Sequence, residues 1–114
     1  MLQLTQMQLD LLAKASFFRY LALRLAVTEG KPIQLSGPQR DVLWQVAQDA
    51  AAYGITSLEG CLVLVHIHFE MGLDCIQNYE AFQTVLSDSK ASEREKIDAL
   101  WTIRSGLFAT LLGA

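Results

Sequence analysis

His66 and His68 are the residues of this chain whose types most suggest chemistry, with Cys61, Cys75, Glu59, Glu70 and Asp74 close by. Two histidines separated by one residue would share a face on a β-strand. On a helix they stand about 200° apart and cannot hold one metal ion between them. The set Cys61, His66, His68, Cys75 matches no zinc-ligand spacing. His66 and Glu70 are four apart and can pair as helix neighbours. Acid–base work by the carboxylates would need a pocket and a raised pKa, and Glu59 and Asp74 have a simpler use at helix ends. No glycine-rich run forms a phosphate loop. With no positioned nucleophile, base or metal set, the chain reads as a non-enzyme that needs neither metal nor cofactor. Trp44 and Trp101 read as core anchors, and the two cysteines as free thiols.

These residues sit among helices that the caps delimit. Five places carry a short polar residue followed three later by Glu or Gln: Thr5/Gln8, Ser36/Gln39, Thr56/Glu59, Asp74/Gln77 and Ser92/Glu95. In this pattern the first side chain caps an amide and the second reaches back. Each precedes an apolar run of helical period. Leu4 and Leu9 stand where a hydrophobic staple would close the first cap.

The spacing predicts five helices in an all-α bundle, one domain over 1–114. They run over about 6–28, 38–53, 57–71, 75–87 and 93–112. Gly30 with Pro32, then Gly54 and Gly72, supply the stops. The third helix is the ambiguous one. Its run from Cys61 to Phe69 is rich in β-branched residues and could be a buried strand. The cap before it, Gly72 after it and the lack of a second strand favour a helix. Gly54, Thr56, Glu59, Gly72 and Asp74 are thus structural hinge residues on either side of it.

Composition narrows the function. Of 114 residues 52% are hydrophobic and only 18% charged, against about 25% charged in an average soluble domain. A net charge of -3 and no basic stripe exclude a nucleic-acid partner. No apolar run of membrane-spanning length occurs, because Lys14, Arg19 and Arg24 interrupt the best candidate. The first residues lack the cationic start of a signal peptide, so the chain reads as cytoplasmic. The first helix is apolar nearly all round, which means that it is central in the bundle or covered on a second side. Phe17, Phe18, Tyr20, Leu23 and Val27 are its candidate partner-binding residues, facing a second copy or another protein. On this reading Phe18→Asp or Leu23→Asp would weaken binding and leave the bundle folded.

From about Ala50 onward the chain resembles a family of small helical proteins encoded in bacterial type VI secretion clusters, beside adaptor-chaperone and toxin-effector genes. Tyr53-Gly54-Ile55-Thr56, Glu59, Gly72 with Asp74, Leu86 before a polar turn, and Glu95-Lys96 with Leu100 carry the resemblance. Cys75 stands where the family often has an aromatic, and the first forty-odd residues lie outside the match. The resemblance implies an accessory role in effector loading, as a co-chaperone that binds the adaptor chaperone dedicated to one effector. Its alternative is an immunity protein that binds and neutralises a cognate toxin.

Overall fold

The computed structural model describes residues 6–72 and 74–111, with side chains over 11–72 and 74–107. Helix α1 spans Gln6–Glu29 and α2 spans Gly37–Asp49, running on into a 3-10 turn at Ala50–Tyr53. Then come α3 at Leu58–Met71, a single turn α4 at Cys75–Asn78, α5 at Glu80–Ser87 and α6 at Glu93–Leu111. No strand occurs among the described residues, so the fold is the all-α bundle that the spacing predicts. The Cys61–Phe69 run is helical throughout.

The central element is α3, not α1. Gly60 and every residue from Leu62 to His68 are buried, so α3 has no face to turn to water. Leu62 and Val65 point one way, into a cluster with Phe17, Phe18, Leu21 and Leu25 of α1 and Leu43 of α2. Val63, Leu64 and Ile67 point the other way, against Ile55, Cys75, Phe82, Leu86, Ile97 and Leu100. The domain therefore has two apolar cores that share one helix. Each large side chain buried in them contributes roughly 1.5–3 kcal/mol.

Two caps form as expected. Ser36 Oγ accepts from the Gln39 amide while Gln39 Oε1 accepts from the Ser36 amide, and Ser92 and Glu95 repeat the arrangement. Gly30 ends α1 and Gly54 ends the 3-10 turn, both with left-handed φ, 72° and 77°. Gly54 donates to the carbonyls of Ala50 and Ala51 in that conformation, which suits a residue without Cβ. Gly72, at φ 101°, closes α3 by donating to His68 O.

Three expectations are corrected. The cap of α3 is Ser57, which accepts from the Gly60 amide at 3.0 Å, and not Thr56. Glu59 makes no return bond; it turns outward to Arg24. Asp74 caps nothing with its side chain, and the fourth helix breaks at Tyr79 into α4 and α5. The Thr5/Gln8 cap and the Leu4/Leu9 staple lie outside the described side chains.

The reason Thr56 is displaced lies in α6. Glu93 Oε1 accepts from both the Thr56 and Ser57 amides, at 2.6 and 2.8 Å. One turn on, the buried Lys96 donates its Nζ to Tyr53 O at 2.7 Å and Leu86 O at 3.2 Å. A helix start and two helix ends are thus held by side chains from the first turn of α6. Gly60 lets α6 come this close. A Cβ there would lie 2.6 Å from Ile55 Cγ2 and 3.1 Å from Ile97 Cδ1.

Alanine favours a helix over glycine by about 1 kcal/mol, but forced overpacking costs about 1–3 kcal/mol. The short stub of Ile55 has little room to yield. Gly60→Ala should therefore destabilise the domain by up to about 2 kcal/mol net, read as a lower urea midpoint with unchanged slope. A raised midpoint would mean that α3 and α6 are not in this contact.

Candidate interaction surface

Helix α1 has two opposed apolar faces, and only one is buried. Phe17, Phe18, Leu21 and Leu25 form the inner stripe, with Phe17 at 5% and Phe18 at 6% exposure. Their rings meet Trp44 of α2, with centroids 5.6 and 6.3 Å away, and Arg40 lies over Phe18. This overturns part of the expected partner surface. Phe17 and Phe18 are core residues, and Phe18→Asp would attack the fold before any interface.

The outer stripe keeps the other three candidates. Tyr20 is 50%, Leu23 63% and Val27 85% exposed, and Leu12 joins them at 56%. Sequence reasoning left out Leu12 as a partner residue. The run Ala13, Ser16, Tyr20, Leu23, Val27, alternately three and four apart, was the signal that separates this stripe from the inner one.

Beside the outer stripe lies an open groove of about 350 Å³. Ala13, Ser16 and Tyr20 of α1 form one wall, and Trp44 of α2 with Leu58 and Cys61 of α3 form the other. Leu58 is half exposed at the lip. Around it, α1 meets α2 through the rings of Phe17, Phe18 and Trp44 and meets α3 through the side chains of the inner stripe. Burial pushes the Cys61 thiol up from its ordinary pKa, with Glu93 adding to the effect, so at neutral pH it is a small apolar wall rather than a nucleophile.

A buried polar cluster fixes α1 in place. Arg24, on the inner side of α1, donates from Nε to His66 Nδ1 at 3.0 Å and from Nη1 to Glu59 at 3.1 Å. Across the ring, His66 Nε2 lies 3.1 Å from Glu70 Oε1, but off the line of a good hydrogen bond. Glu70 is held by Arg104 of α6 through two bonds of 2.6 and 2.7 Å. Trp101 stacks against both Arg104 and Arg24, at 4.4 and 5.2 Å from its ring centre. The i,i+4 spacing exposed His66 and Glu70 in the sequence. Arg24 and Arg104 come from 42 and 34 residues away and carried no local signal.

Both histidines are neutral members of the structure. A ring nitrogen that accepts from Arg24 carries no proton, so in His66 the proton sits on Nε2. Burial lowers the His66 pKa most; Glu70 opposes this, and Arg24 and Arg104 lower it further. Burial likewise lowers His68, against the raising effect of its bond to Leu64 O at 2.8 Å. The two rings point to opposite seams of α3, so they share no metal. Among the described residues no three His, Cys, Asp or Glu side chains converge on a cation position.

Comparison with protein-family models, with curated proteins and with solved structures gave no match for this chain. The surface is therefore read from its own geometry.

Two outcomes follow. Phe18→Ala should cost about 3–5 kcal/mol, while Leu23→Ala should stay within about 0.5 kcal/mol, both by urea unfolding at dilution; equal effects would erase the distinction between the stripes. Because both histidine pKa values are lowered on folding, the unfolded chain binds more protons below its ordinary value of about 6.5. Stability should then fall as the pH drops below that value, and His66→Gln with His68→Gln should flatten the slope between neutral pH and the carboxylate range. A slope unchanged by the double variant would refute the assignment.

Proposed function

We propose that this protein is a cytoplasmic, non-enzymatic binding module that docks on a partner protein through the outer face of α1. In the type VI secretion setting that the second half of the chain resembles, it acts as a co-chaperone for the adaptor chaperone of one effector. The observation that carries this reading is the outer stripe itself. Tyr20, Leu23 and Val27 form a continuous apolar face on a helix already anchored by its opposite side.

Helix-in-groove recognition needs this arrangement, a rigid platform with apolar anchors at three- and four-residue spacing. The groove walled by Tyr20, Trp44 and Leu58 gives a partner side chain a place to insert. No described helix is long and apolar enough to cross a membrane, which leaves a protein as the natural cover for that face. The face carries few charges, and this favours a tight apolar contact over steered capture of a basic toxin cleft. The chain itself performs no reaction in this scheme and uses no cofactor.

The test is co-expression with the adaptor chaperone and the effector of such a cluster. The adaptor should co-purify in the absence of effector, and Leu23→Asp should abolish its recovery with the helical circular dichroism unchanged. If the effector alone is recovered, and the protein rescues cells from its toxicity, the role is immunity and the co-chaperone reading is wrong.

A further inference from the structure

His68 is a buried ring with one nitrogen in use and one free. It is 4% exposed, near the end of α3. Its Nδ1 lies 2.8 Å from Leu64 O, one turn back on the same helix. A carbonyl only accepts, so Nδ1 carries the proton and Nε2 keeps its lone pair. Burial lowers the pKa of this ring, which keeps that tautomer the form present at neutral pH. With the near nitrogen tied to the backbone of its own helix, the far nitrogen projects off α3 toward α2. Among the described residues nothing donates to it. His66 differs, because its Nε2 is sealed against Glu70 and opens on no hollow.

The His68 ring lines a hollow of about 320 Å³ between the start of α2 and the end of α3. Pro38, Val42 and Leu43 of α2 and Phe69 of α3 give it apolar walls, and Val42 stays 42% exposed there. Gln39 also lines it, but its Oε1 is taken by the Ser36 amide in the cap of α2. An apolar cavity of about 150 Å³ accepts benzene, so a molecule of one or two rings fits this space. Water fits it poorly. An ordered buried water makes about three hydrogen bonds, and the side chains here offer His68 Nε2 and the Gln39 amide nitrogen. Displacing loosely held water with an apolar group gains affinity. The hollow on the Leu64 side of the ring is the polar one, lined by Asp49, Tyr53 and Gln77, and it suits such a molecule less.

We propose that the hollow between α2 and α3 binds a small neutral aromatic molecule carrying one O–H or N–H, which donates to His68 Nε2. The ligand class is that of phenols and indoles. Its ring packs between Val42, Leu43 and Phe69, and its donor supplies the hydrogen bond that His68 lacks. Apolar walls with one placed polar atom are the usual make-up of a small-molecule site. None of these residues belongs to the outer face of α1, so the site stands or falls apart from the docking reading.

The experiment is an NMR titration of the full chain at neutral pH with phenol, indole and toluene. Toluene has the shape of phenol without its donor. Phenol and indole should saturate, with shifts centred on Val42, Leu43 and Phe69, and phenol should bind about three- to tenfold more tightly than toluene. His68→Leu should reduce phenol to the affinity of toluene while toluene still binds. Val42→Trp, a change at a half-exposed position, should fill the hollow and abolish binding of all three with helicity retained. No saturable shift with phenol or indole at millimolar concentration would overturn the proposal. So would equal affinity for phenol and toluene in the unaltered chain, or binding indifferent to Val42→Trp.

Discussion

Everything in this fold follows from one constraint: α3 has no polar face. Seven consecutive buried residues, Leu62 to His68, must be covered on all sides, and a helix of this length can be enclosed only by several neighbours. One side is closed by α1 and α2, the other by the 3-10 turn and α4 to α6. Two seams remain where these shells meet, and the two histidines fall there because two residues of helix turn them about 200° apart. His66 looks into the seam between α1 and α6, and His68 into the one flanked by α2. A polar ring at each seam is tolerated because a partner is in reach. His66 has Arg24 and Glu70, and His68 has the carbonyl one turn back.

The same seam explains why α1 stays attached while so much of its surface is bare. Its inner stripe supplies the apolar contact, but apolar contact alone would let the helix slide. Arg24 sets its register by reaching His66, Glu59 and the face of Trp101 at once. Each arginine has its own carboxylate, Arg24 that of Glu59 and Arg104 that of Glu70 through a two-point bond. Around His66 and Glu70, which are largely buried, a charge left without its partner is costly. The cluster therefore adds position more than net stability, and it locks α1 with its outer stripe turned to solvent.

How much of this was legible depended on the range of the interaction concerned. Caps at Ser36 and Ser92 are local, with donor and acceptor three residues apart, and the sequence displays them in full. The sequence pattern puts the cap of α3 one residue early because the Thr56–Glu59 spacing satisfies the same template. Glu93, 37 residues on, takes the Thr56 amide instead, and no local pattern reports that. The break at Tyr79 is similar, because the period of Ile76, Tyr79 and Phe82 runs straight through it, and Tyr79 leaves the helix to set its ring edge-on to Phe82. Helix α1 was ambiguous for a different reason. Apolar residues on all sides cannot say which side faces the core, so Phe17 and Phe18 were indistinguishable from Tyr20 and Leu23 until Trp44 and Leu43 were placed against them.

The outer stripe then poses a question of residue choice. Nothing in the bundle requires Val27 or Tyr20 to be apolar, since both lie outside the two cores. Lysine or glutamate at those positions would have a better helix propensity, by a few tenths of a kcal/mol, and would be better solvated. Valine also gives up side-chain freedom at χ1 in a helix. The residues present are therefore worse than the alternatives for the isolated chain in both respects. They improve on them only when water is removed from the stripe, where each large side chain contributes roughly 1.5–3 kcal/mol. A face that opposes both propensity and solvation, on a helix held still from behind, is the premise on which the proposed docking rests.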